Sequence, residues 1–147
     1  MHSATTFRDL CRTHGFAVTH QRQVIYETLV SMPGHPSPEE VFARVRKKVP
    51  AISLATVYKT IHTFVDSGLL REVSLHHGSL RVDNNVAPHH HLVCKECKSI
   101  LDVDESAFEP LRFKQRLPQG FKFERFAVDI LGLCSHCSAR SQKRSKA

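Results

Sequence analysis

Two Cys-x-x-Cys pairs, Cys94/Cys97 and Cys134/Cys137, stand 36 residues apart and constrain this chain more than any other feature. Each pair is a knuckle able to grip one side of a tetrahedral ion, so the chain between them must fold back to bring the two together. Four thiolates favour zinc in a closed structural site. A redox pair would need only one such motif and a thioredoxin-like setting, and two unconnected pairs of buried thiols would need no metal; the doubled spacing favours zinc. The fifth cysteine, Cys11, reads as a small buried helix residue. At 147 residues the chain is one domain or two small ones. Either buries a modest core, which makes a metal staple physically useful.

The 21 Lys and Arg against 14 Asp and Glu leave a net charge of +7, a usable excess for approaching a polyanion. Divided after Asn85, the chain holds 10 basic and 7 acidic residues before the cut and 11 and 7 after it, so neither half is a dedicated basic arm. The stretch from Ser138 to Ala147, with Arg140, Lys143, Arg144 and Lys146 among Ser, Gln and Ala, is predicted to be a disordered basic tail. No apolar run approaches the ~20 residues that cross a bilayer, and Met1 to Leu10 lacks a signal-peptide pattern. A cytoplasmic protein with reduced cysteines and no membrane partner is expected.

Four helices are predicted in the first half. The first covers Phe7 to His14 and stops before Gly15; the second follows Thr19 as N-cap, with Val24, Ile25, Leu29 and Val30 on one side. The third is marked by Ser37 with Glu40 three residues on, a capping box, and by Pro38 at the first helical position. The fourth opens at Ser53, aligns Leu54, Val57, Ile61, Phe64 and Val65, and closes at Gly68. Its other face offers Thr56, Lys59, Thr60 and Thr63. Strand-like runs Leu69 to Leu75 and Ser79 to Val82 follow, with a turn at His76, His77 and Gly78. This order fits a winged helix whose last helix enters the major groove, although a bland helical domain with a hairpin would share the pattern. Beyond a polar hinge, HHHLVC, SILDVD and FAVDILGLC read as strands, with a helix from Ser106 to Arg116 between the latter two.

Period-two alternation sends His89 and His91 to one face of the first of these strands and His90, Leu92 and Cys94 to the other, so two metal sites are separable. His89 and His91 can share an ion, Asp102 on the next strand is an oxygen donor, and Asp83 and His35 could complete the set. Three imidazoles and two carboxylates suit iron or manganese. A histidine run can equally be a solvated strand end or a further zinc site. No Ser/His/Asp or Cys/His nucleophile arrangement stands out, which argues against a metalloenzyme. The polar-faced helix with Tyr58 and Lys59 beside a wing argues against a zinc-bound protein-interaction module.

TxQR at Thr19 to Arg22, HPSPEEVF from His35, SLATVYKT from Ser53, HHHLVCKEC from His89 and GLCSHC from Gly132, in this order and spacing, resemble the ferric uptake regulator (Fur) family from about Phe7 to Cys137. The resemblance implies an α+β chain that is not an enzyme but a dimeric repressor, binding palindromic, AT-rich double-stranded DNA when a regulatory metal locks its DNA-binding domains. Its parts would be a winged-helix domain over 1–83, a hinge over 84–88, a small α/β dimerisation and metal-binding domain with structural zinc over 89–137, and the tail over 138–147. The DNA contacts implied are Arg22, Ser53, Thr56, Tyr58 and Lys59.

Asp83 and Asp102, where iron-uptake members usually carry Glu at the latter position, resemble the peroxide-responsive (PerR) branch. That branch implies regulatory Fe2+ or Mn2+ on His35, Asp83, His89, His91 and Asp102 beside the cysteine-bound Zn2+. It also implies that His35 and His89 are the oxidation-sensitive ligands, each gaining one oxygen under peroxide. An iron- or zinc-uptake regulator reporting metal level alone is the alternative. A further site found in iron-uptake members is broken here, its positions holding Pro88, His90, Glu109 and Phe126. Ala17 and Lys59 stand where many members have Lys or Arg and Arg, so operator preference is expected to depart from the family norm.

Overall fold

The computed structural model describes residues 5–73 and 80–144, and the chain divides into two compact units, Met1–Val86 and Ala87–Ala147. In the first unit the helices α1 (Phe7–His14), α2 (His20–Ser31), α3 (Pro38–Val45) and α4 (Leu54–Asp66) begin where their caps dictate. Ser37 Oγ accepts from the Glu40 N–H while the Glu40 carboxylate accepts from the Ser37 N–H, so two donors that the first turn would leave unpaired are satisfied together. At the other end of α4, Gly68 takes φ 77°. Its N–H bonds Val65 O and the Leu69 N–H bonds Phe64 O, a paired closure that a left-handed residue permits.

The core gathers around Phe64, whose ring is met edge-on by Phe7 and Tyr26 at 6.3 and 6.0 Å and at a tilt by Phe16 at 5.3 Å. Cys11 is buried in this cluster, and burial pushes its thiol up. Thr60, expected on the open face of α4, is buried as well. Two strands complete the unit: β1 (Arg71–Val73) pairs antiparallel with β2 (Arg81–Asp83), Glu72 opposite Val82. The turn at His76, His77 and Gly78 lies outside the described residues.

The second unit is a three-stranded sheet in the order β4 (Ile100–Asp104), β3 (His89–Cys94), β5 (Asp129–Gly132). β3 runs antiparallel to β4 and parallel to β5, placing Asp102, His91 and Asp129 in one row and Leu101, Leu92 and Ile130 in the next. Successive rows point to opposite faces.

Two expectations are corrected. Instead of a helix from Ser106 to Arg116 there is a single 3₁₀ turn at Glu105–Ala107, after which Phe108 is extended. Pro110 has no N–H to give a helix interior and disfavours helical backbone at Glu109 before it. Of the basic tail expected to be disordered over 138–147, residues 138–144 are helical as part of α5 (Ser135–Arg144), and 145–147 lie outside the described residues. The helix grows out of the second knuckle, with the Ser138 N–H on Cys134 O at 2.9 Å and Arg140 3.6 Å from Glu96 in the first knuckle. The polar composition that suggests disorder is also that of a solvated helix of good helix formers.

Candidate metal centres and nucleic-acid interface

The parallel register of β3 and β5 sets Cys94 opposite Gly132, with the Lys95 N–H on Gly132 O. Both knuckles therefore emerge at the same end of the sheet. Lys98 turns the first one with φ 62°, its N–H on Cys94 O. The four sulfurs lie within 4.8 Å of one another, Cys97 and Cys134 at 3.8 Å. Ligands about 2.3 Å from a tetrahedral zinc stand about 3.8 Å apart, so the set has the right size.

Its electrostatics agree. The Cys134 N–H points at Cys94 Sγ at 3.4 Å and, with the Cys97 N–H, holds the Cys94 thiol down to about 6. The Ser99 hydroxyl and N–H lower Cys97. Cys137, by contrast, is pushed up to about 12 by burial and then by the neighbouring sulfurs. Backbone donors thus favour thiolates here, yet four of them cannot stay ionised side by side without a cation. That is the donor set a zinc dication fits.

The imidazoles of His89 and His91 meet through their Nε2 atoms at 3.1 Å, and Asp102 Oδ1 lies 3.7 Å from each. Each ring is tied from behind: His89 Nδ1 is 2.8 Å from Ala87 O and His91 Nδ1 is 3.5 Å from Asp129 Oδ1. Two nitrogens bound about 2.1 Å from one ion at a right angle stand about 3 Å apart. With Nδ1 engaged and Nε2 turned inward, the residues fit a divalent ion. In the first unit His35 Nε2 lies 3.3 Å from Asp83 Oδ2, both side chains almost fully buried. Pro36 O takes the Val82 N–H, and Arg81 reaches both His35 O and the Glu40 carboxylate. The capping box of α3 and the first residue of HPSPEEVF are therefore braced by one guanidinium.

On α4, Ser53 Oγ caps the Thr56 N–H and Lys59 is exposed. Tyr58 donates to Glu39 on α3 at 2.5 Å, which lowers the Glu39 carboxyl and raises the Tyr58 phenol. Arg22 bonds Ala17 O and lies over the Phe16 ring. Sequence reasoning missed two residues here. Glu39 figures in the sequence only as part of HPSPEEVF, and Asp129 only as part of a strand. The signal for Asp129 was present, a single carboxylate inside the apolar run FAVDILG. No helix among the described residues is long and apolar enough to cross a membrane.

The description of the ferric uptake regulator family matches residues 13–131. The peroxide operon regulator of Bacillus subtilis (strain 168) is 31% identical over 126 residues, covering 86% of this chain and 87% of that protein. The peroxide-responsive repressor PerR of Staphylococcus aureus (strain Mu50) is 32% identical over 129 residues, covering 86% and 85%. Among solved structures, the Helicobacter pylori ferric uptake regulator shares the fold with TM-score 0.69 at 17% identity over 89% of this chain and 88% of that one. The manganese-bound regulator from Pseudomonas aeruginosa gives 0.68 at 19% over 87% and 97%.

Proposed function

Since the chain belongs to the ferric uptake regulator family, we propose that it is a cytoplasmic, homodimeric, metal-dependent repressor that senses peroxide. The observation that carries this reading is the inward-facing pair of His89 and His91 Nε2 atoms beside Asp102. One regulatory ion, iron or manganese, would be held by His35 and Asp83 from the DNA-binding part (1–83) and by His89, His91 and Asp102 from the dimerisation part (89–137), across the hinge at 84–88. Cys94, Cys97, Cys134 and Cys137 would hold zinc. Bound Fe(II) supplies a one-electron reductant for hydrogen peroxide, which Mn(II) does not.

The protein's own part is geometric. Ala87 O fixes the His89 tautomer, the Arg81 brace holds the His35 backbone, and ligands from both sides of the hinge restrict the DNA-binding part to one orientation. A locked pair of such domains in a dimer matches two half-sites of a palindrome, here an AT-rich one. Ser53, Thr56, Tyr58 and Lys59 on α4, with Arg22 on α2, would face the DNA.

Anaerobic titration of Mn(II), Fe(II) and Zn(II) into the zinc-loaded protein, with binding to an AT-rich palindrome as readout, tests the reading. Mn(II) and Fe(II) are expected to switch binding on, and subsequent peroxide to switch off only the iron form. If affinity ignores all three metals, the proposal falls; if peroxide has no effect on the iron form, the protein reports metal level alone. In the same assay Lys59→Ala is expected to weaken binding evenly across operator variants and reduce the log–log salt slope by about 1. Tyr58→Phe should change sequence preference, because it removes both the hydroxyl oxygen that would accept from a base edge and the Glu39 contact that orients the ring. Isotherms unchanged in both variants would take α4 out of the interface.

A further inference from the structure

The row across the sheet places His91 between two carboxylates, Asp102 on β4 and Asp129 on β5. The two relate to the ring differently. Asp102 lies on the Nε2 side, where His89 also points, at 3.7 Å. Asp129 lies on the Nδ1 side at 3.5 Å, with a side chain only 12% exposed. Its backbone neighbourhood is rigid: the His91 N–H bonds Val128 O at 3.0 Å, and the parallel ladder continues through Leu92 and Ile130 to Cys94 and Gly132. A carboxylate behind an imidazole selects the tautomer protonated at Nδ1. It leaves the Nε2 lone pair free for an ion.

We propose that Asp129 is a positioning residue for the regulatory metal: seated behind His91, it keeps the proton on Nδ1 and Nε2 turned to the ion, and so sets metal affinity without being a ligand. The inference rests on the regulatory-site reading above. His89 receives the same service from the neutral Ala87 carbonyl. Because β5 ends two residues before Cys134, the strand that carries Asp129 is anchored by the second knuckle. An intact cysteine site is therefore a condition for a well-placed Asp129.

The test compares wild type, Asp129→Asn, Asp129→Ala and His91→Ala, all zinc-loaded and full length, by titration with Mn(II) followed through the electron paramagnetic resonance of the free ion. Bound zinc and the thermal midpoint before manganese are measured alongside. Both Asp129 variants are expected to bind Mn(II) about 10–100-fold more weakly, with zinc content and midpoint at wild-type levels. His91→Ala should lose the site. Nitrogen-15 spectra of the histidine rings before manganese supply a second readout that a merely structural role would not move. His91 should be protonated at Nδ1 in wild type and shift toward the Nε2 form in Asp129→Ala. Affinities within threefold of wild type, with the His91 tautomer unchanged, would overturn the Asp129 assignment while leaving the site. If wild type itself binds no Mn(II), or His91→Ala binds as tightly as wild type, the regulatory-site reading fails and the Asp129 assignment fails with it. Should Asp129→Asn and Asp129→Ala lose zinc or melt early, Asp129 is a structural residue and the proposal is overturned.

Discussion

Cys97→Ser is expected to strip the protein of its zinc and convert the dimer to monomers. Zinc held by four thiolates contributes on the order of 10–16 kcal/mol in small metallo-domains, far more than the remaining contacts of such a unit supply. The sheet here has three strands, and β5 is four residues long. With Cys97 gone, the first knuckle keeps only Cys94, and nothing of comparable strength holds the second knuckle and α5 to the end of β3. The row Leu101, Leu92, Ile130, in which the leucines are 60% and 43% exposed, would then lose the sheet that carries it, and with it the apolar face on which a second copy is expected to dock. Metal analysis with size-exclusion light scattering reads both quantities at once. A tight dimer without zinc would uncouple the staple from assembly. Full zinc retention in the variant would show that Cys97 is not a ligand.

The second large effect is expected from peroxide. Iron-loaded protein given a brief low dose should release operator DNA, losing about 5–150-fold in affinity if the latch contributes the 1–3 kcal/mol usual for coupling between sites. Peptides containing His35 or His89 should gain one oxygen; the manganese form should keep both its mass and its DNA. An oxygenated imidazole is a poorer ligand, and His35 lies on the DNA-binding side of the hinge, so its loss would free that part of the chain. Mass spectrometry beside operator binding decides the matter. DNA release with unmodified histidines and oxidised cysteines would assign sensing to the thiolates, whose low end is Cys94 at about 6. No release and no modification would leave a plain regulator of metal level.

What the sequence disclosed and what it withheld divide along a physical line. The caps at Thr19, Ser37 and Ser53 act within three residues, and each helix begins where its cap predicts. The alternation in HHHLVC is equally local, and it separates His89 and His91, whose rings meet at 3.1 Å, from Cys94, which lies among the other sulfurs. The helix predicted from Ser106 to Arg116 fails at Pro110, whose missing N–H is decisive in a helix interior. The tail was misread because composition cannot tell a solvated helix from a disordered chain. Asp129 and Glu39 were out of reach for another reason. Their partners, His91 and Tyr58, are 38 and 19 residues away, and strand register and helix packing, which bring them together, leave no mark in a local pattern.

The odd and even positions of β3 differ in character, His91 standing in a row with the carboxylates Asp102 and Asp129 and Leu92 in an apolar row. This constrains the changes that the chain can tolerate over evolutionary time. A substitution at Leu92 changes the apolar face and leaves the row of His91 alone, so each face can drift by itself. Deleting Val93 cannot be absorbed in that way: with Cys94 held in the cysteine cluster, the strand would rotate and put Leu92 on the face of Asp102 and Asp129 and His91 on the apolar face. Deleting two would restore the faces but displace the histidines about 7 Å along the ladder, away from Asp102. Length in this stretch should accordingly be far less variable than composition, and natural variants that differ in length are expected in the segment between β4 and β5, where no ladder keeps count.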